Sequence, residues 1–250
     1  NCGYWHGVFG GIYLTNLRTA LYGHLIQAEK RADALANKSK TWSNVSAEDF
    51  DTDGEMELVV DSPAQSAMFK PAEGGMMIEH DLRDWNFNLI DTMMRRREFY
   101  HEDIATRESG GESSAALIQD WYRRGSLVDH FFDNTTDIQK FASGVYAELG
   151  DFIGQPYETT WKKERGRVVV TMTREGAVHL PVGTLPVQVV KRVTLATAKA
   201  ENKIEYRVEN LSDVEIRSRF GVELVGNLLA GDSSYRYVEI EGVNLGAGNK

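Results

Sequence analysis

"RVVVTMTREGAVHL" (167–180) and "LPVQVVKRVTLA" (185–196) decide the fold class. Apolar and polar residues alternate along both, the period of a strand with one buried face. "REG" (174–176) reads as a turn that splits the first stretch into a strand pair. The alternation continues outward in "KIEYRVENLSDVEIRSRFGVELV" (203–225) and "YRYVEIEGV" (235–243), and appears earlier in "MELVVDS" (56–62). "SAMFK" and "MMIEHDL" flank "PAEGG" (71–75) as a hairpin. Short strands with frequent turns predict a mainly β protein, an antiparallel β-sandwich.

A helical segment precedes it. Leu14, Leu17, Leu21, Leu25, Ala28, Ala32 and Leu35 step by three or four. That spacing predicts a helix from about Ile12 to Leu35 with these residues as its packed apolar face. "NKSK" (37–40) is polar and marks a boundary. Residues 1–40 are therefore read as one region and residues 41–250 as the sandwich. Stretches 89–105 and 113–132 read as helical or loop-like excursions. The chain has no initiator Met and stops just after a strand. The expectation is a segment of a longer protein, with the sandwich cut at its end.

The totals exclude some partners. The 250 residues are 42% hydrophobic and 26% charged, an ordinary globular composition with enough length for a core. A net charge of −9 excludes a basic face for nucleic acid or an anionic membrane. A neutral substrate such as a sugar fits. No apolar run of about 18 residues is present to span a bilayer. With one cysteine, Cys2, no internal disulfide forms. No oxidising compartment is needed, so a cytoplasmic location is expected.

Two clusters stand out. In "NCGYWHGVFGGIYL" (1–14), Trp5 and His6 sit among glycines and further aromatics. Glycines allow close backbone approach, and Trp and Tyr offer flat apolar faces with a hydrogen-bonding edge. That suits a sugar ring; plain packing of the helix onto the fold stays open beside it. In "EDFDTDGEMELVV" (48–60), Asp49, Asp51, Asp53 and Gly54 match the start of a calcium loop. The twelfth loop position is Val60, so the EF-hand reading fails. Ca2+ in another geometry and a plain acidic turn both remain; no cofactor is required. His6, His24, His80, His101, His130 and His179 show no zinc spacing. The acids beside His101 and His130 suit holding the ring in one tautomer. No nucleophile elbow or phosphate loop is present.

"NCGYWHGVFGGIYLTNLRTALYGHLIQAE" (1–29) resembles family-57 glycoside hydrolases, in the branch of 4-α-glucanotransferases and α-amylases. "DFDTDG" (49–54), "FKPAEGGMMIEHD" (69–81), "SLVDHFF" (126–132), "ELGDFIGQPYE" (148–158) and "FGVELVGNLLAGD" (220–232) extend the likeness along nearly the whole chain. The resemblance implies a galactose-mutarotase-like supersandwich at the C-terminal end of an α-glucan-processing enzyme. It implies that both catalytic carboxylates lie upstream, on an N-terminal barrel of the same polypeptide, so this segment alone is inactive. It places Trp5, His6 and Cys2 at the substrate cleft, with α-glucan or maltooligosaccharide as ligand. Cys2 stands where the family often has Asp, and a thiol is a poorer acceptor for sugar hydroxyls. Two other readings stay open: a stand-alone carbohydrate-binding sandwich and a purely structural one.

Overall fold

The computed structural model describes residue 3 and residues 14–94 and 119–227. The strand expected at 235–243 and residues 95–105 and 113–118 of the two central excursions lie outside the described residues, while 128–132 of the second excursion is a strand and not helix or loop. The deciding stretches form one long hairpin. Strand β8 (Arg167–Leu180) and strand β9 (Gly183–Ala196) pair antiparallel from Arg167↔Ala196 to Leu180↔Gly183. The expected turn at 174–176 is therefore not there. Gly176 stays in the ladder opposite Val187. A Cβ at Gly176 would collide with the Asp151 carboxylate and the Phe152 ring. This glycine makes room for a neighbour and does not turn the chain. The chain reverses at Pro181 and Val182, where proline has no N–H to give a ladder.

β8 and β9 are the centre of a four-stranded sheet, in the order β10 (Asn202–Asn210), β9, β8, β7 (Glu158–Glu164). A second sheet runs in chain order through β1 (Asn44–Glu48), β2 (Glu57–Asp61), β3 (Gln65–Lys70), β4 (Met76–Leu82) and β5 (Phe87–Asn88). The hairpin expected around 71–75 joins β3 and β4. A third pair joins β6 (Val128–Phe132) to β11 (Arg219–Glu223). Every pairing is antiparallel. The two larger sheets share one core: Leu58, Val60, Ala67 and Phe69 meet Val168, Val170, Met172, Val189, Val193 and Leu195, with Leu127 and Phe131 from the third pair. The expected sandwich is present. Each fully buried side chain of this size contributes about 1.5–3 kcal/mol.

The inward face of β9 carries a charge. Along β9 the inward residues are Leu185, Val187, Val189, Val193 and Leu195, and Lys191 falls on the same period, fully buried. Its ammonium donates to Gly74 O at 2.7 Å and Leu127 O at 2.8 Å, and pairs with Asp129 at 3.0 Å. The Tyr157 ring lies 4.3 Å away, and its hydroxyl donates to Asp129. Burial pushes the Lys191 pKa down, and Asp129 opposes that. Lys191 thus ties β9 to the β3–β4 turn and to β6. Gly75 in that turn has φ +54°, and a Cβ there would crowd Met172, Lys191 and Tyr157.

Helix α1 (Thr15–Ala36) appears where expected, but it packs on a different face. Arg18 and Ile26 are its buried residues, while Leu14, Leu21, Leu25 and Leu35 are exposed, Leu35 at 88%. The sheet surface beneath is polar: β4 presents Glu79 and Asp81, and Arg83 and Asp91 flank them. A polar stripe on the helix is its complement, so charge pairing overrides the apolar period. Among the described residues no helix is long and apolar enough to cross a membrane.

Candidate functional site

Trp5, His6 and Cys2 lie outside the described residues. Gly3 is buried, and a Cβ on it would meet the Leu21 and Arg18 side chains. Arg18 Nε donates to Asp91 Oδ1 at 3.0 Å, with both side chains buried. Asn227 Nδ2 lies 3.5 Å from the other Asp91 oxygen and 3.4 Å from Thr19 Oγ1. The Asn227 backbone N–H donates to Leu89 O at 2.7 Å. Further along, Lys30 Nζ donates to Arg83 O at 2.6 Å and to Asn86 Oδ1 at 3.0 Å, while Arg83 pairs with Asp33 and Asp61. Gly3, α1 and the sandwich therefore meet at Arg18. Under the helix, burial and then the Glu79 charge raise the Asp81 pKa to about 9, and burial raises Glu79 as well.

The acidic turn, 49–57, is closed by its own backbone. Asp49 accepts from Asp53 N at 3.0 Å and from Gly54 N at 3.1 Å, and Asp53 accepts from Glu55 N at 2.9 Å. Thr52 and Gly54 take positive φ, 60° and 92°. Lys70 at the end of β3 points into the turn: its Nζ lies 2.6 Å from Asp51, 2.6 Å from Asp53 and 3.2 Å from Glu57. Burial works to lower the Lys70 pKa, but the bonds to Asp51, Asp53 and Glu57 outweigh it and raise it. The Lys70 hydrogen bond, followed by one from Glu55 N, holds the Asp53 pKa low. Asp49, Asp51 and Glu57 bring carboxylate oxygens within 4.8 Å of one another, a set suited to a hard cation. Glu57 is fully buried and was not among the expected ligands. Its signal was its place three residues after Gly54, which a test of the twelfth position alone passes over.

A groove of about 610 Å³ opens beside the turn. Its lining includes Asp51, Asp53, Lys70, Glu73, Arg123 and Trp121, which is 60% exposed. Arg123 reaches Asp51 and Glu73 at 3.6 Å each. Trp121 stands edge-on to Tyr122, with ring centroids 4.9 Å apart.

Behind Tyr122 lies His130. Its Nδ1 is 2.9 Å from Glu148 Oε2, its Nε2 is 3.4 Å from Glu223 Oε2, and the Tyr122 hydroxyl donates to Glu223 at 2.6 Å. Burial works to lower the His130 pKa, but Glu148 and Glu223 raise it overall. The ring is held by these two glutamates and by Phe132, stacked at 4.9 Å, and not by its neighbours in sequence. His80 is the opposite case: buried beside Gln65 and Asn202, it is pushed down to about 4 by burial. His24 is exposed, and His101 lies outside the described residues.

Known proteins match the chain as follows. The family model described as "Alpha-amylase/4-alpha-glucanotransferase, C-terminal" matches residues 49–249, and the middle-domain model of the same name matches residues 1–32. A 4-alpha-glucanotransferase of Thermococcus kodakarensis is 34% identical over 241 residues, covering 90% of this chain and 33% of that protein. Alpha-amylase 1 of Dictyoglomus thermophilum is 31% identical over 248 residues, covering 92% of this chain and 34% of that protein. The crystal structure of 4-alpha-glucanotransferase from Thermococcus litoralis superposes with a TM-score of 0.73 at 31% identity, covering 90% of this chain and 32% of that one. The chain spans about a third of the length of these relatives.

Proposed function

This chain belongs to the alpha-amylase/4-alpha-glucanotransferase family, and from that premise we propose that it completes and braces the active unit of an enzyme that hydrolyses or transfers α-glucan. The sandwich is the C-terminal domain of that family. The opening segment, with Trp5, His6 and Cys2, lines the substrate cleft. The catalytic carboxylate pair lies upstream, so residues 1–250 alone are inactive. The proposed ligand is a maltooligosaccharide, and the proposed compartment is the cytoplasm.

The observation that carries this reading is the two-faced helix. α1 spends its polar face on the sandwich through Arg18, Lys30 and Asp33. Its leucines at 21, 25 and 35 are exposed, Leu21 in part against Gly3. An apolar stripe of this kind marks an interaction surface, and an upstream catalytic region of the same polypeptide is the proposed occupant. The stripe thereby gives the sandwich a mechanical role: it fixes one wall of the cleft.

For the acidic turn the proposal is a calcium ion in competition with Lys70. The ammonium and the metal would draw on the same Asp51 and Glu57 carboxylates. The carboxylates suit the metal, and the buried lysine weakens it.

The full-length polypeptide carrying this chain tests the main reading. Incubated with maltoheptaose, it should give both longer and shorter glucans if it transfers, and only shorter ones if it hydrolyses. An unchanged maltoheptaose pool would overturn the proposal, as would turnover by residues 1–250 alone.

A further inference from the structure

We propose that the groove between Trp121 and the acidic turn is a second carbohydrate-binding site, carried on the sandwich and taking a neutral α-glucan chain. The α-glucan identity of the ligand rests on the function proposed above; the site itself rests on the groove.

Its first element is a platform. Trp121 is 60% exposed, its ring meets Tyr122 edge-on at 4.9 Å, and Tyr122 is tied through its hydroxyl to Glu223 at 2.6 Å. Glu223 is held in turn by His130 and by Arg124 at 3.2 Å. An indole held against a tied tyrosine and otherwise largely exposed loses little freedom when a ring lies on it. The CH face of a pyranose is the natural partner of such a surface.

Its second element is a polar wall with its charges already paired. Lys70 is taken by Asp51 and Asp53, and Arg123 sits between Asp51 and Glu73. A phosphate or carboxylate ligand would face three carboxylates across the groove. A cationic ligand would compete with two resident cations. A neutral ligand rich in hydroxyls does neither: it takes the remaining carboxylate lone pairs as acceptors and the free guanidinium N–H groups as donors. Planar groups of this kind suit adjacent hydroxyls on one ring.

The third element is size. A groove of about 610 Å³ falls within the usual ~300–1,000 Å³ of small-ligand sites. Its floor is Met76, Ile153 and Gly154, and Gly154 has no atom within 4 Å of a built Cβ, so the floor is open towards the ligand.

Affinity electrophoresis of the full-length polypeptide tests this, in native gels containing amylopectin, mixed-linkage β-glucan or xylan. Maltotriose turnover and Tm are measured on the same samples. Wild type should be retarded by amylopectin. Trp121→Ala should weaken that retardation at least about tenfold, equivalent to about 1.4 kcal/mol. Arg123→Ala, on the rim, should weaken it too and guards against a Trp121 variant that fails to fold. Both should keep wild-type Tm and maltotriose kcat/KM. If both variants are retarded like wild type, the groove is not the site, while the α-glucan function stands. If maltotriose is turned over but no polysaccharide retards wild type, the groove is likewise overturned. If Trp121-dependent retardation occurs only with β-glucan or xylan, the groove binds carbohydrate and the α-glucan assignment falls.

Discussion

Arg18 on α1 and Asp91, just beyond β5, face each other at 3.0 Å with side-chain exposures of 5% and 1%. They are 73 residues apart in sequence, and their pairing seats the helix on the sandwich. A buried pair of this kind contributes little compared with an apolar replacement, but removing Arg18 takes the counter-charge from the buried Asp91.

Arg18→Met alone should therefore destabilise the protein by about 3–5 kcal/mol, and Asp91→Leu alone should destabilise it too. The double change Arg18→Met with Asp91→Leu should recover much of that loss. Denaturant midpoints of the four proteins give the coupling directly. Additive single effects would show that the two side chains do not act as a pair.

The strands were legible because one face of each is buried and the other wet, so side-chain period reports them without tertiary knowledge. β9 shows the limit. Lys191 sits on the inward period, and nothing in "QVVKRVT" announces that Asp129, 62 residues earlier, will be beneath it. The same limit explains α1. The leucine stripe was visible, but which face meets the sandwich depends on Asp91 and Arg83, contributed by a distant edge of the sheet. The turn misread at 174–176 has a similar cause: Gly176 answers to Asp151 and Phe152, not to its own backbone. At the acidic turn, Asp49, Asp51 and Asp53 were readable as a local pattern. Lys70, which fills the turn, comes from the next strand but one and leaves no local mark.

If calcium binds the acidic turn it draws on the same Asp51 and Glu57 carboxylates as Lys70, so removing the lysine should sharpen metal binding. Calcium should raise Tm by mass action on the folded state. In Lys70→Gln the calcium affinity should be at least about tenfold tighter than in wild type, a gain of about 1.4 kcal/mol. Asp51→Ala should abolish the response. Calorimetric titration against chelated protein checks all three. Equal affinities with and without the lysine would show that the ion, if bound, sits elsewhere.

The pH dependence of stability follows from two buried groups with opposite shifts. Asp81 moves from 3.8 to about 9, mainly through burial and then through Glu79. The folded state then holds a proton that the unfolded chain has released. That stabilisation is complete below about pH 4 and is lost as pH rises towards about 9. His80 moves down from 6.5 to about 4 through burial, so its contribution is present above pH 6.5 and is lost as pH falls through about 4. Asp81→Asn should flatten the fall of Tm between pH 5 and pH 9 without altering the acid limb. A wild-type slope in the variant would remove Asp81 from the account.

Trp5 carries the cleft proposal. The indole lies between Tyr4 and a run that includes Gly7, Gly10 and Gly11, and the helical period of α1 begins only after it. If its face covers a sugar ring, truncation removes roughly 2–3 kcal/mol of apolar contact at ~25 cal/mol per Å². In the full-length enzyme Trp5→Ala should then lower kcat/KM for maltooligosaccharides about 30–150-fold, at about 1.4 kcal/mol per tenfold. Tm should move little, because a ring that faces ligand leaves no cavity behind. A packing role predicts the reverse: a loss of about 3–5 kcal/mol in stability, with the folded fraction turning over substrate normally. His6→Ala, measured beside it, extends the comparison to the neighbouring polar contact. Unfolding curves and kcat/KM on the same preparations separate the two roles, and a strongly destabilised Trp5→Ala enzyme with wild-type kinetics would assign the indole to packing.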